Sequence, residues 1–112
     1  MGNRLSKIYT RTGDDGSTGM ADGSRVSKAD SLFNVMGDID ELNSHIGLVR
    51  AQLQKNTGQS ISKEFSEALV IIQHLLFNIG GELAMPEYEG VNATHIEWLE
   101  EQIDTMNTTL PP

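Results

Sequence analysis

The sequence has 112 residues, 8 Lys and Arg against 16 Asp and Glu, a formal charge of −8 and no cysteine. That length supports one small domain whose surface is large relative to its core. The charge disfavours nucleic acid or an anionic membrane as a partner, and without cysteine there is no disulfide, thiolate metal site or thiol nucleophile.

The opening segment MGNRLSKIYTR lacks the apolar stretch of a secretory signal, and no run approaches the length of a transmembrane helix, so the expected location is the cytoplasm. Residues 1–32 are dense in Gly, Ser, Thr and Asp and read as an ordered loop or arm rather than a helix. Positive charge is concentrated early. Residues 1–55 carry 7 Lys and Arg, whereas residues 56–112 carry only Lys63 against 9 acidic groups. Any anion site built from side chains therefore draws on the first half of the chain.

The segment Thr10 to Gly19 is the most informative part of the arm. Gly13, Gly16 and Gly19 allow backbone conformations and close approaches closed to other residues, while Thr10, Thr12, Ser17 and Thr18 supply hydroxyls. Such a turn can present consecutive amides to phosphate oxygens, with Lys7, Arg11, Arg25 and Lys28 as flanking cations; an ordinary acidic surface turn is the competing reading. It is neither G-x-x-x-x-G-K-S/T nor G-x-G-x-x-G. Asp14 and Asp15 would repel bare phosphate, but either becomes compatible with it by coordinating Mg²⁺ carried by a nucleotide.

From residue 33 the pattern becomes helical. Val35, Ile39, Leu42, Ile46, Val49 and Leu53 form one apolar stripe, which Asn56, Thr57 and Gly58 end. Met36, Asp40, Asn43, Gly47 and Arg50 lie on a face beside it. Gly37 and Gly47 each cost about 1 kcal/mol relative to Ala in a helix, which suggests close packing or a ligand wall. A second stripe, Phe65, Leu69, Ile72, Leu76, Ile79 and Leu83, predicts a helix over 62–84 with Ser62 as N-cap and Met85-Pro86 as its end. The third helix is expected over about 94–108, with Thr94 and Glu97 spaced as a capping box and Asn92 as a competing cap.

Short connections imply an antiparallel all-α bundle. Val70, Ile71, Leu75 and Phe77 surround the second stripe, so more than one face of that helix requires burial; further helices or a subunit interface would supply it. His45, His74 and His95 stand singly and read as surface or structural groups. Leu110-Pro111-Pro112 reads as a turn leading onward.

Three blocks occur in order: I-Y-T-R-T-G-D-D-G-S-T over 8–18, R-V-S-K-A-D over 25–30 and G-D-I-D-E-L-N over 37–43. With L-F-N-I-G-G-E-L-A over 76–84, they make the sequence similar to the PduO-type ATP:cob(I)alamin adenosyltransferases. The resemblance covers essentially the whole chain but only the first three-fifths or so of a family domain. It implies an N-terminal portion of that domain, with a nucleotide-binding arm over 1–32 and a helical part over 33–112. The latter would be three helices of a five-helix bundle that assembles as a homotrimer with active sites between subunits. The implied reaction transfers the 5′-deoxyadenosyl group from ATP to cob(I)alamin, with Mg²⁺ at the nucleotide and tripolyphosphate released.

Carried over by motif, Thr10, Thr12, Gly13, Asp14, Gly16, Thr18, Lys28 and Asn43 border the nucleotide or corrin, and Asp14 is the candidate metal ligand. Lys28 neutralises the leaving triphosphate, and Asp40 pairs with an arginine of a neighbouring subunit; these two carry the catalytic roles. Gly19-Met20 replaces the family's usual S-L, and Asp30-Ser31-Leu32-Phe33 replaces D-P-R-V with loss of its arginine. Met36 stands where a tyrosine is common. Two alternatives remain at this level: a catalytically incomplete ATP-binding or regulatory module, and a structural helical oligomer with the arm as a strap.

Overall fold

In the computed structural model, which describes residues 6–55 and 62–112, the arm contains an antiparallel hairpin of β1 (Ser17–Gly19) and β2 (Arg25–Ser27). Ser17 pairs with Ser27, Thr18 with Val26 and Gly19 with Arg25. The sequence reading expected only a loop here. Each strand has three residues and no apolar alternation, so the hairpin is set by its turn. Gly23 takes the left-handed conformation at φ 85°, and the Met20 N–H donates to the Ser24 carbonyl at 2.7 Å. One carboxylate oxygen of Asp22 accepts from the Ser24 N–H at 2.8 Å and from its hydroxyl at 2.6 Å.

Helix α1 spans Ser31–Lys55, two residues ahead of the expected start, because Asp30 accepts from the Leu32 N–H at 2.9 Å and begins the first turn there. Its expected stop at Asn56, Thr57 and Gly58 lies outside the described residues. Helix α2 spans Lys63–Ala84, and the Ser62 hydroxyl accepts from the Phe65 N–H at 3.1 Å as its N-cap. Helix α3 spans Ala93–Asn107. Its cap is Asn92, not Thr94 with Glu97. Asn92 accepts from the Thr94 N–H at 3.0 Å, and the Nδ1 of His95 accepts from the Asn92 N–H at 3.1 Å. The imidazole thus does the work expected of a glutamate.

Helices α1 and α2 pack on each other, whereas α3 makes no comparably extensive approach to any other element. An open apolar groove separates α2 from α3, lined on one side by Ile72, Leu75, Leu76 and Ile79 and on the other by His95, Ile96 and Leu99. Among the described residues Ala68 is the only buried apolar side chain; Phe77 is 76% exposed and Ile71 42%. The radius of gyration is 19.0 Å, against about 13 Å for a compact chain of this length. The α2 stripe is therefore half-buried, whereas Ile71 and Phe77 beside it, Val35, Leu42 and Val49 of α1 and the stripe of α3 are exposed, as the crowding of apolar residues around the second stripe anticipated.

The two glycines of α1 have different surroundings. A Cβ at Gly47 would lie 3.4 Å from the Gln73 Nε2 on α2, which fits the close packing expected there. A Cβ at Gly37 would meet nothing within 4 Å, so helix packing does not explain that glycine. No helix of the described residues is long and apolar enough to cross a membrane.

Candidate functional site

The arm is built from two consecutive turns. Arg11 adopts the left-handed conformation at φ 60°, uncommon for a side-chain-bearing residue, and its guanidinium lies 5.4 Å from the centre of the Tyr9 ring. The first turn closes when the Asp14 N–H donates to the Arg11 carbonyl, the second when the Gly16 N–H donates to the Gly13 carbonyl, both at 3.2 Å. The Lys28 N–H then donates to the Gly16 carbonyl at 2.8 Å, joining the end of β2 to the turn. Gly16 has φ 85°. Among the described residues, the N–H of Gly13 makes no hydrogen bond, whereas that of Asp15 lies against its own carboxylate.

The predicted arm residues converge here. A Cβ on Gly13 would fall 2.8 Å from the Lys28 Nζ and 3.1 Å from the Ser17 carbonyl, so the ammonium rests against the bare backbone at Gly13. The Lys28 ammonium makes no hydrogen bond or ion pair among the described residues, and the residue is exposed. The Thr10 hydroxyl accepts from the Thr12 N–H at 3.4 Å and from the Thr12 hydroxyl at 2.9 Å, placing the two hydroxyls side by side. Thr18 sits half-buried in the middle of β1.

The two adjacent aspartates divide their roles. One oxygen of Asp15 accepts from the Ser17 N–H at 2.9 Å and from its hydroxyl at 2.7 Å. These bonds, with a smaller contribution from the Arg25 charge, hold the Asp15 carboxyl below the usual carboxylate range. The carboxylate of Asp14 makes no hydrogen bond among the described residues. A lowered pKa means that the turn is stabilised fully above the ordinary aspartate value and loses that support only as pH falls through the lowered one. The Ser17 amide should therefore stay protected from exchange at neutral and mildly acidic pH and open below the usual carboxylate range. Asp15→Asn should keep the turn and abolish this acid response; NMR titration of the Ser17 amide measures both, and opening near neutrality would contradict the assignment.

Arg25, considered in the sequence only as a flanking cation, is the residue that ties the arm together. Its Nε and Nη2 donate to the Ser17 hydroxyl at 3.1 and 2.9 Å, and Nη2 also donates to the carbonyls of Thr12 at 3.1 Å and Ser17 at 3.2 Å.

Asp40 and Asn43 belong to a second group on α1. With Ser44, Gly47 and Gln73 they line an open cleft of about 410 Å³. Asn43 is clasped to α2: its Nδ2 donates to the Gln73 carbonyl at 3.3 Å, and the Gln73 Nε2 donates to the Asn43 carbonyl at 3.1 Å. The Arg50 Nη1 donates to the Gln73 Oε1 at 2.6 Å, and the Arg50 Nε is buried without a partner among the described residues. Asp40 is exposed, its carboxylate free of hydrogen bonds among the described residues. No hydrogen bond joins this group to the arm among the described residues. Gln73 was missed by sequence reasoning; its signal was a lone amide inside the apolar run V-I-I-Q-H-L-L-F. No group of three or more His, Asp or Glu among the described residues could hold a metal ion.

The family model for cobalamin adenosyltransferase matches residues 8–112, beginning at the first residue of the I-Y-T block. The chain belongs to the cobalamin adenosyltransferase family. It is 47% identical over 111 residues to a cobalamin adenosyltransferase of Cupriavidus metallidurans, covering 99% of this chain and 57% of that protein. It is 36% identical over 118 residues to the human corrinoid adenosyltransferase, covering 97% of this chain and 45% of the human one. Among solved structures, a variant PduO-type ATP:corrinoid adenosyltransferase from Lactobacillus reuteri complexed with cobalamin and ATP superimposes with a TM-score of 0.77 at 32% identity, over 95% of this chain and 59% of that one. The chain thus spans a little over half the length of the bacterial cobalamin adenosyltransferases it matches. The arm from residue 8 onward, its hairpin and all three helices fall within the range matched to the family.

Proposed function

We propose that this chain contributes the nucleotide-binding arm and part of the corrin-facing helical wall of an ATP:cob(I)alamin adenosyltransferase. The observation that carries the reading is the cradle at Gly13, where the Lys28 ammonium, without a partner among the described residues, lies against two turns beside the free N–H of Gly13. An amide and an ammonium converging on one point suit a polyphosphate. In the reaction, the electron pair of Co(I) forms a bond to the 5′ carbon of ATP, the carbon–oxygen bond breaks, and its electron pair leaves on tripolyphosphate. The chain's part is to bind and orient the triphosphate through Thr10, Thr12, Gly13, Gly16 and Thr18, and to neutralise the departing charge with Lys28.

Mg²⁺ fits the donor set in a restricted sense. Asp14 presents one carboxylate free of hydrogen bonds among the described residues, while Asp15 is committed to Ser17. A single carboxylate is sufficient when phosphate oxygens and water complete an octahedron, so Asp14 would hold the ion's protein side and the ion would offset negative charge. Asp40, free on the cleft wall, is assigned to an arginine of a neighbouring subunit, and Asn43 to keeping that wall in place through Gln73. The exposed apolar residues of α1 and α2, among them Val35, Leu42, Val49, Ile71 and Phe77, fit burial against further helices or against the other subunits of a homotrimer, and the cytoplasm is the proposed location.

The test is to titrate the protein with ATP and Mg²⁺ while following backbone amides, then to add reduced cobalamin and assay the cobalt–carbon product and tripolyphosphate. The expected result is perturbation of Gly13 to Thr18 on nucleotide binding. ATP binding that leaves those amides unmoved would overturn the assignment. Nucleotide binding without product would favour the incomplete binding module.

A further inference from the structure

We infer that Arg25 is a positioning residue for the polyphosphate site, acting through the backbone of the arm rather than on the anion; this rests on the nucleotide reading above. Arg25 lies on β2 opposite Gly19, and its side chain runs back across β1 to reach Thr12, thirteen residues earlier. It donates four hydrogen bonds, all to Thr12 or Ser17.

Two geometric consequences follow. The peptide unit is planar and trans, so holding the Thr12 carbonyl on Arg25 turns the Gly13 N–H to the opposite side, away from the guanidinium. That N–H has no partner among the described residues and stands beside the backbone against which the Lys28 Nζ rests. The Ser17 carbonyl, held by the same Nη2, forms the other wall of the Gly13 gap. Arg25 therefore fixes both the direction of a free amide and the width of the space beside Lys28.

The Ser17 hydroxyl completes the arrangement. It accepts from the Nε and Nη2 of Arg25 and donates its own proton to Asp15, so its hydrogen-bonding capacity is used and its rotation fixed. The chain Arg25 to Ser17 to Asp15 links a cation to an anion through one hydroxyl, and it keeps Asp15 turned into the loop. A planar guanidinium can address a hydroxyl and two carbonyls at once; a lysine ammonium carries the same charge but cannot reproduce the fork.

Charge and geometry are thus separable by experiment. ATP affinity in Mg²⁺ and amide exchange at Gly13, Asp15 and Ser17 are measured for wild type, Arg25→Lys, Arg25→Met and Ser17→Ala, with α-helical circular dichroism as the folding control. Arg25→Lys is expected to weaken ATP by about tenfold, close to Arg25→Met, and to speed exchange of the Ser17 amide in the free protein. Ser17→Ala is expected to lose less, because both carbonyl contacts remain. Raising salt should leave the ratio between wild type and Arg25→Lys unchanged, since net charge is the same in both. Wild-type affinity in Arg25→Lys with loss in Arg25→Met would make Arg25 a charge on the anion and overturn the inference alone. Failure of the wild-type protein to bind ATP would overturn the nucleotide reading and this inference with it, and unchanged Ser17 exchange in Arg25→Met would refute the positioning role without reference to any ligand.

Discussion

A Lys28→Ala protein is expected to keep its fold and lose roughly ten- to a hundredfold in ATP affinity, the scale of one or two charge-assisted hydrogen bonds. Lys28 makes no side-chain hydrogen bond or ion pair among the described residues, so its removal leaves no polar group stranded. Two of the other flanking cations are engaged elsewhere: Arg25 is committed to Thr12 and Ser17, and Arg11 lies over Tyr9. Gly13→Ala offers a second route to the same place. The new Cβ would stand 2.8 Å from the Lys28 Nζ, the end of a flexible side chain that yields readily, and 3.1 Å from the Ser17 carbonyl, which does not. This variant should retain the ammonium and still bind ATP less well, because the charge is displaced from the turn. Calorimetric titration of both proteins checks the pair, and wild-type binding by Lys28→Ala would remove the lysine from the site.

Gly90→Ala is expected to have the largest effect on folding. Gly90 is buried, and a Cβ there would fall 2.8 Å from both the Cβ and the carbonyl oxygen of Asn78 and 2.9 Å from the Tyr88 ring. Asn78 lies within α2 and cannot move alone, so the loop must retreat. In doing so it surrenders the Asn78 Nδ2 bond to the Gly90 carbonyl at 3.2 Å and the two N–H groups, of Gly90 and Val91, that donate to the Glu82 carboxylate at 2.6 and 3.1 Å. The combined overpacking and loss of buried hydrogen bonds is expected to cost about 1–3 kcal/mol. Because these contacts bind the start of α3 to the end of α2, the melting temperature should fall and the helical signal of α3 should be lost first. Gly37→Ala is the control: with no neighbour within 4 Å of its Cβ, it should stabilise α1 by about 0.5–1 kcal/mol.

The helices were legible because their signals are local. Ser62 caps α2 where the serine before Lys63 indicated, and the spacing of Phe65 to Leu83 accounts for its length. The cap of α3 was legible only as a choice. Asn92 prevails over Thr94 because the His95 imidazole completes the box, and imidazole is not the usual partner in that position. The hairpin was hidden, since R-V-S and S-T-G carry no strand pattern of their own. At the site, the residue blocks placed Gly13 and Lys28 in one arm, and the structure brings them into contact. What separates Asp14 from Asp15 is the pair of hydrogen bonds from Ser17, and what joins Asn43 and Arg50 is Gln73 on another helix. Both distinctions arise from pairings across space, which neither composition nor periodicity encodes.

That Ala68 is the only fully buried apolar side chain among the described residues also bears on how this chain responds to heat. Unfolding raises heat capacity chiefly by exposing apolar groups to water, and here many of them are half-buried or exposed already. The transition is therefore expected to be shallow, with a small enthalpy and little cooperativity between the α1–α2 pair and α3. Anything that covers those stripes would sharpen the melt as well as raise its midpoint.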